Sequence, residues 1–531
     1  ISSNLYLFMR PLLLFLTFNY SYSFKFLVYS PQFAESHVNY LGKLADSLID
    51  AGHEVVILSP VLHEINVGAG SKRARVIEVP QSEKKGYQSE VDVDMIDDLW
   101  SVTSWWEMQL RWERHHVELV VQCEATIHHP GLIEQMKTEQ FDVAFAESID
   151  WCFAGIIHLV GIENFAFAES IGIKDGLFPI TQIPSFPSYV PTITGGRYGD
   201  DMTFLQRAFN FFNLFAFQDF NFKAVPLYQE LFDRDFPGFP PVVELLSQSS
   251  LHFINSDPLI DFPHLSAARI VDVGGIAVSN GYTTLNKTWS TLLDLRPRNV
   301  LISFGTFAQA HGMPPAYKKT LLDTIKAFPD VTFMMKYEKP EHNFSGCCDN
   351  LIEGLWLPQN DLLRDPRLSA FLTHGGQGSV TEASYAGVPM VVVPVIYDQA
   401  HNAFEVKRNG LGIVVDKTEL AERGPLETAL RKVLDDPKYK IQARKISAML
   451  SDKPFSAREI FVRNMEFLAS HGPLRQLDHY GRHLNFIQYY SIDVISAAFS
   501  LFSLVGWLIF LVVRFAFVLL NTGFTSKQKQ I

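Results

Sequence analysis

The residues best suited to chemistry lie between positions 371 and 382, where Phe371-Leu372-Thr373 runs into His374-Gly375-Gly376-Gln377-Gly378-Ser379 and then into Val380-Thr381-Glu382. A β-run that enters a glycine-rich turn and leaves as a helix presents backbone N–H groups at a helix N-terminus, which carries about half a positive charge. Such a turn suits a phosphate. Gly375, Gly376 and Gly378 allow close approach, His374 and Ser379 are side-chain donors for anionic oxygens, and Glu382, one turn into the helix, is placed to accept from vicinal ribose hydroxyls. Trp356 and Gln359 precede the turn with a ring for stacking a base and an amide for its edge, and Pro394 and Asp398-Gln399 follow it. Parallel sheets hold ligands at the carboxyl ends of their strands.

Other candidates carry less. The segment after the first β-run, Ser30 to His37, contains no GxGxxG, which removes the best support for nicotinamide chemistry. Asp92-Val93-Asp94 is a DxD triplet of the type that holds metals, but it sits in an acid-rich stretch and reads as surface. His115-His116 and His128-His129 lack the i, i+4 spacing of helical zinc ligands and are expected in solvent.

The ordered set Trp356-Leu357-Pro358-Gln359, His374-Gly375-Gly376-Gln377-Gly378-Ser379 with Glu382, and Asp398-Gln399 resembles the signature of the UDP-glycosyltransferases, in particular the membrane-anchored animal UDP-glucuronosyltransferases. The resemblance implies a GT-B architecture: two Rossmann-like parallel-sheet α/β domains facing a cleft, plus a C-terminal transmembrane helix. It implies transfer with inversion of a sugar, glucuronic acid foremost, from a UDP-sugar co-substrate to a hydroxyl of a small lipophilic acceptor, with no cofactor and no metal. By the same analogy Trp356 stacks on uracil, Gln359 binds near uracil or ribose, and Glu382 holds ribose. His374, Gly376, Gly378 and Ser379 meet the diphosphate with Gly305 and Thr306 of the Ser303-Phe304-Gly305-Thr306 turn, and Asp398 and Gln399 hold sugar hydroxyls. His37 matches the general base. The acid that orients it falls at Glu147, where the family usually has Asp; Asp150 is the rival. A UDP-glucosyltransferase, or a non-catalytic UDP-sugar-binding membrane protein, are the alternative readings.

These groups need a scaffold. With 531 residues, 47% hydrophobic and 19% charged, the chain has apolar surface for more than one core. Its net charge of −12 argues against a nucleic-acid partner. Four cysteines form neither a disulfide framework nor a paired CxxC site, and Cys347-Cys348 reads as loop thiols. Short β-branched or aromatic runs alternate with helical patterns, the signature of helix-covered parallel sheets. Expected strands are 24–29, 54–58, 76–79, 142–146, 164–168 and 251–255, then 299–304, 331–336, 351–355, 370–372, 390–393 and 413–415, with a helix over 38–51 stopped by Gly52. Two stretches break the alternation. Residues 92–118 hold four Trp, and residues 204–239 are a Phe-rich insertion that fits an acceptor-pocket wall, a patch on a bilayer or helical core.

At the ends, Arg10 and the Leu- and Phe-rich run 11–18, followed by Ser21 and Ser23, read as the tail of a secretory signal. Val494 to Val513 is about twenty residues without charge, enough to span the ~30 Å hydrocarbon layer. Lys527 and Lys529 then put the tail in the cytosol, as a retrieval signal or a simple topology anchor. The sequence thus divides into a signal segment 1–23, an acceptor-binding domain 24–272, a linker 273–298, a UDP-sugar-binding domain 299–472, a connecting segment 473–493, a transmembrane helix 494–514 and a basic tail 515–531. The expectation is a single-pass protein of the endoplasmic reticulum membrane with lumenal catalytic domains. Asn286-Lys287-Thr288 and Asn343-Phe344-Ser345 would be its glycosylation acceptors. Its expected partners are the UDP-sugar, the acceptor and the bilayer; a homo-oligomer is left open.

Overall fold

The computed structural model describes residues 23–62, 68–83, 99–101, 105–172, 175, 180, 185–194, 196–278 and 285–527. The signal segment before Ser23, the Asp92–Asp94 triplet and Lys529 lie outside the described residues.

Residues 23–475 hold two sheets. The first comprises β1 (Lys25–Tyr29), β2 (Glu54–Pro60), β3 (Arg75–Val79), β4 (Val143–Ala146), β5 (Phe165–Glu169), β6 (Leu251–Ile254) and β7 (Ile270–Asp272) in the order β3-β2-β1-β4-β5-β6-β7. The second comprises β8 (Arg298–Ser303), β9 (Val331–Lys336), β10 (Leu351–Gly354), β11 (Leu368–Thr373), β12 (Met390–Val392) and β13 (Gly412–Val414) in the order β10-β9-β8-β11-β12-β13. Every pairing is parallel. The central strands are apolar along their length because helices cover both faces: β4 and β5 are fully buried, and β8 is buried after its first residue. Edge strand β3 buries only Val79 of its five residues.

Both orders reverse direction once, between β1 and β4 and between β8 and β11. At such a point the connecting helices pass to opposite faces, leaving a crevice beyond the carboxyl ends of the two central strands. His37 and Glu147 follow β1 and β4, and Gly305 and His374 follow β8 and β11, while Trp356 and Gln359 follow β10 and Asp398 and Gln399 follow β12.

Three features were not anticipated. The helix Ala457–His471 lies within the stretch read as the second domain, yet it packs on the first sheet, with the Phe461 ring 5.8 Å from Phe145 and 4.8 Å from Phe253. Conversely, Leu99 and Trp100 of the first half are buried in the core under the second sheet; Trp100 meets Phe304 edge-on at 5.1 Å and donates through Nε1 to the Gln309 carbonyl at 2.9 Å. Finally, Cys123 and Cys152 form a disulfide across a sequence separation of 29, pinning the helix Trp105–Ile127 to the start of the helix Cys152–Val160. Cys347 and Cys348 are thiols, as expected.

The Phe-rich stretch forms the helix Phe204–Phe222, but not as ordinary core. Among its described side chains Asn210, Asn213 and Leu214 are buried, the two amides donating to the loop carbonyls of Pro187, Val190 and Thr194, while Phe204 and Phe212 are about 70% exposed.

Separately, residues 476–531 are dominated by the helix Ile492–Lys527, which is longer than the run read from the sequence. Its apolar part, Ile492–Leu519, is long enough to cross a membrane.

Candidate active site

The residue types after β1 and β4 build the first half of the site. The helix after β1 begins at Glu35, three residues before the expected start, so His37 stands in its first turn. Glu147 follows β4 directly and faces it: His37 Nδ1 lies 2.6 Å from Glu147 Oε2. A carboxylate only accepts, so Nδ1 carries a proton, and in the neutral imidazole the lone pair then falls on Nε2. Glu147 Oε1 is in turn fixed by the N–H of Ser170 at 3.1 Å and its hydroxyl at 2.8 Å. Phe33 packs on the imidazole at 4.6 Å. Asp150 is elsewhere. It accepts from Tyr29 Oη at 2.6 Å, Tyr228 Oη at 2.8 Å and the Cys152 N–H at 2.9 Å, and burial raises its pKa.

The second half follows β8 and β11. Gly375 has φ +84°, bending the chain so that Gly376 caps the helix Gln377–Ala386 without a capping side chain, and its first N–H groups are left for a ligand. The His374 ring sits between two glycines: a Cβ on Gly305 would come within 2.7 Å of its Nε2, and one on Gly376 within 2.5 Å. Burial, with the Lys336 charge nearby, lowers the His374 pKa to about 4, so it serves as a neutral donor or acceptor. A Cβ on Gly378 would meet no protein atom within 4 Å; this glycine keeps space open toward the cavity.

Glu382 accepts from Gln359 Nε2 at 2.7 Å and from Asn360 Nδ2 at 3.0 Å, and Gln359 also reaches Ser379 Oγ at 3.3 Å. Burial raises the Glu382 pKa against these bonds. Trp356 is 65% exposed, a ring face available for stacking, with Lys336 Nζ 5.7 Å from its centroid. Lys336 also donates to the Gly305 carbonyl at 2.9 Å. Asp398 accepts from Asn402 at 2.7 Å and lies near enough to sense His37. Gln399 spends its side-chain oxygen on the N–H groups of Val395 and Ile396, leaving its Nε2 for other partners.

One cleft of about 750 Å³ takes in both halves. His37, Gly305, Thr306, Trp356, Gln359, His374, Gly376, Gly378, Ser379, Glu382, Asp398 and Gln399 all line it, and Glu147 stands behind His37. The sequence reading missed Asn360, Lys336 and Ser170. It also put His115 and His116 in solvent, whereas both are buried in the cleft wall. They occupy a helix that packs inward at that point, and burial lowers the His116 pKa to about 3. His128, by contrast, is half exposed and pairs with Asp235 at 2.9 Å.

Residues 25–530 match the family UDP-glucoronosyl and UDP-glucosyl transferase. The chain belongs to this family. A putative UDP-glucuronosyltransferase of Caenorhabditis elegans, ugt-48, is 29% identical over 516 residues, covering 96% of this chain and 97% of that one. Human UDP-glucuronosyltransferase 1A4 is 29% identical over 400 residues, 75% of this chain and 71% of its own. Among solved structures, UGT2 of Phytolacca americana, complexed with UDP-2fluoro-glucose and pterostilbene, superposes with a TM-score of 0.55 at 14% identity, over 85% of this chain and all of that one. This UDP-glycosyltransferase thus has the GT-B fold, and the two switch points face each other across its cleft.

Proposed function

We propose that the enzyme transfers glucuronic acid from UDP-glucuronic acid to the hydroxyl of a small lipophilic acceptor, with inversion at the anomeric carbon. The observation that carries this reading is the single cleft in which a Glu147-held imidazole meets the glycine-rich helix terminus. His37 Nε2 takes the acceptor proton as the oxygen attacks the anomeric carbon, and Glu147 stabilises the imidazolium that forms. The bond to UDP breaks on the opposite side. Its charge develops against the N–H groups of the helix Gln377–Ala386 and near the Lys336 ammonium. Trp356 stacks on uracil with Gln359 at the base or ribose, and Glu382, oriented by Gln359 and Asn360, holds the ribose hydroxyls. Asp398 and Gln399 meet the sugar. No step calls on a metal or cofactor.

Glucuronic acid is preferred over glucose because the named relatives across most of the chain are glucuronosyltransferases. The acceptor side carries Phe33, Ile149, Trp151 and Ile193, which suit an apolar body such as a phenol. The decisive experiment supplies the purified enzyme with UDP-glucuronic acid or UDP-glucose and a phenol panel and weighs the products. A glucuronide is expected; glucoside alone would move the donor reading to glucose, and no product with either would sink the transferase reading.

We place the catalytic unit in the lumen of the endoplasmic reticulum, anchored by Ile492–Leu519 with the tail cytosolic. The Cys123–Cys152 disulfide fits an oxidising compartment, and the sequon residues Asn286 and Asn343 are both exposed. Removal of Asn-linked glycans should increase gel mobility; an unchanged band would count against lumenal exposure.

A further inference from the structure

Away from the transfer chemistry, a buried cluster joins the two lobes. His401 and Glu405 stand one turn apart on the helix Gln399–Arg408, and Asp261, from the loop between β6 and β7, reaches them from the first lobe. His401 Nε2 is 3.1 Å from Glu405 Oε1 and 3.5 Å from Asp261 Oδ1. The three residues are at most 9% exposed. Two carboxylates buried side by side repel unless a positive charge lies between them. Glu405 Oε2 receives no hydrogen bond from a donor among the described residues, and the Glu405 and Asp261 carboxyls stand against each other. Asp261 itself is braced from outside, by the Ser256 hydroxyl and the Phe262 N–H.

We infer that Asp261, His401 and Glu405 form an inter-lobe site for a divalent cation of the zinc class. The spacing is right for it. At metal–ligand distances near 2.0–2.2 Å, tetrahedral ligand atoms lie about 3.3 Å apart, close to both separations. The chemistry matches as well: one imidazole and two carboxylates neutralise a dication, and a fourth position can take water. Such an ion would tie the β6–β7 loop to the helix that starts with Asp398 and Gln399 in the cleft wall, so it would fix how the lobes meet beside the bound sugar.

The test uses the full chain in detergent with Cys347→Ser and Cys348→Ser, which removes the adjacent thiols as a competing zinc site. After dialysis against metal-free buffer, elemental analysis should find one zinc per chain, and a chelator should lower Tm. Glu405→Gln keeps the side-chain shape but not the charge, and with His401→Asn it should weaken zinc binding at least tenfold while the circular dichroism of the fold is retained. A parent chain that retains no zinc, or zinc content and Tm response unchanged in both variants, overturns the assignment and leaves a shared proton as the charge in the cluster. None of these readouts involves UDP-sugar, so they stand or fall apart from the transfer reaction.

Discussion

The two switch points solve different problems with different materials. In the second lobe much of the candidate site is contiguous: nine residues from His374 to Glu382 supply an imidazole, a helix terminus with open backbone N–H groups, a hydroxyl and a carboxylate. In the first lobe it is assembled from far apart, His37 being 110 residues from Glu147 and 133 from Ser170, and side chains meet in it with one backbone N–H, that of Ser170. A nucleotide diphosphate is invariant in shape and charge, so a rigid turn can be dedicated to it. An acceptor hydroxyl must instead meet one base at one angle, while the surrounding wall is free to differ.

The sharpest way to break this contrast is to remove the base. His37→Ala should lower kcat by about 10² to 10⁴ while leaving UDP affinity unchanged, as followed by transfer rate and calorimetry on the same preparation. Glu147→Gln should lower kcat less, and Glu147→Asp should recover part of it only if the shorter chain still reaches Nδ1. Near-normal turnover in His37→Ala would mean that the first lobe binds but does not catalyse. In the second lobe the expected losses are in binding. Trp356→Ala gives up a stacking contact of about 1–3 kcal/mol, roughly a 5- to 150-fold rise in donor KM, with little change in kcat. An unchanged donor KM would remove the stacking role.

Two glycines refine the point further. On Gly378 a methyl group meets no protein atom, so Gly378→Ala should leave Tm unchanged and weaken UDP binding by about tenfold, because the new group stands where the diphosphate approaches. On Gly376 the same methyl falls 2.5 Å from His374 Nε2, so Gly376→Ala should cost Tm as well as affinity. Equal Tm losses in the two variants would show that Gly378 serves the fold and not the ligand.

The same contrast explains what could be read in advance. Twelve strands were legible as short apolar, β-branched or aromatic runs, even where, as in β3, most of the strand is exposed; β7, three residues with only Ile270 buried, was not. The second-lobe site was legible because its members are neighbours in sequence. Even Asn360 left a signal there, an amide beside Gln359 and directed at the same carboxylate. The first-lobe partner of His37 was open between Glu147 and Asp150; the His37–Glu147 contact decides it, with Asp150 taken up by Tyr29 and Tyr228. His115 and His116 are both buried in the cleft wall, and nothing local in the sequence says that this part of their helix is covered. The Cys123–Cys152 bond was hidden for a similar reason: four cysteines allow three pairings, and separation alone selects none.

Acid should expose the smallest difference between the lobes. His116 and His252 in the first lobe have pKa values lowered to about 3, and His374 in the second to about 4, in each case mainly by burial. An unfolded histidine titrates near 6.5, so below that pH the unfolded chain binds protons that the folded chain refuses. The stability these groups contribute is therefore complete above pH 6.5 and falls as the pH drops toward 4 and then 3. At pH 5 each has lost about 2 kcal/mol. With two such groups against one, the first sheet should loosen first: hydrogen exchange at pH 5 should accelerate in peptides spanning β6 before those spanning β8 and β11. His252→Phe removes one of the two, since its ring nitrogens are buried without hydrogen-bond partners among the described residues, and should flatten the decline of Tm between pH 6.5 and 5. An unaltered slope would show that carboxylates, not buried imidazoles, set the acid limit of the first lobe.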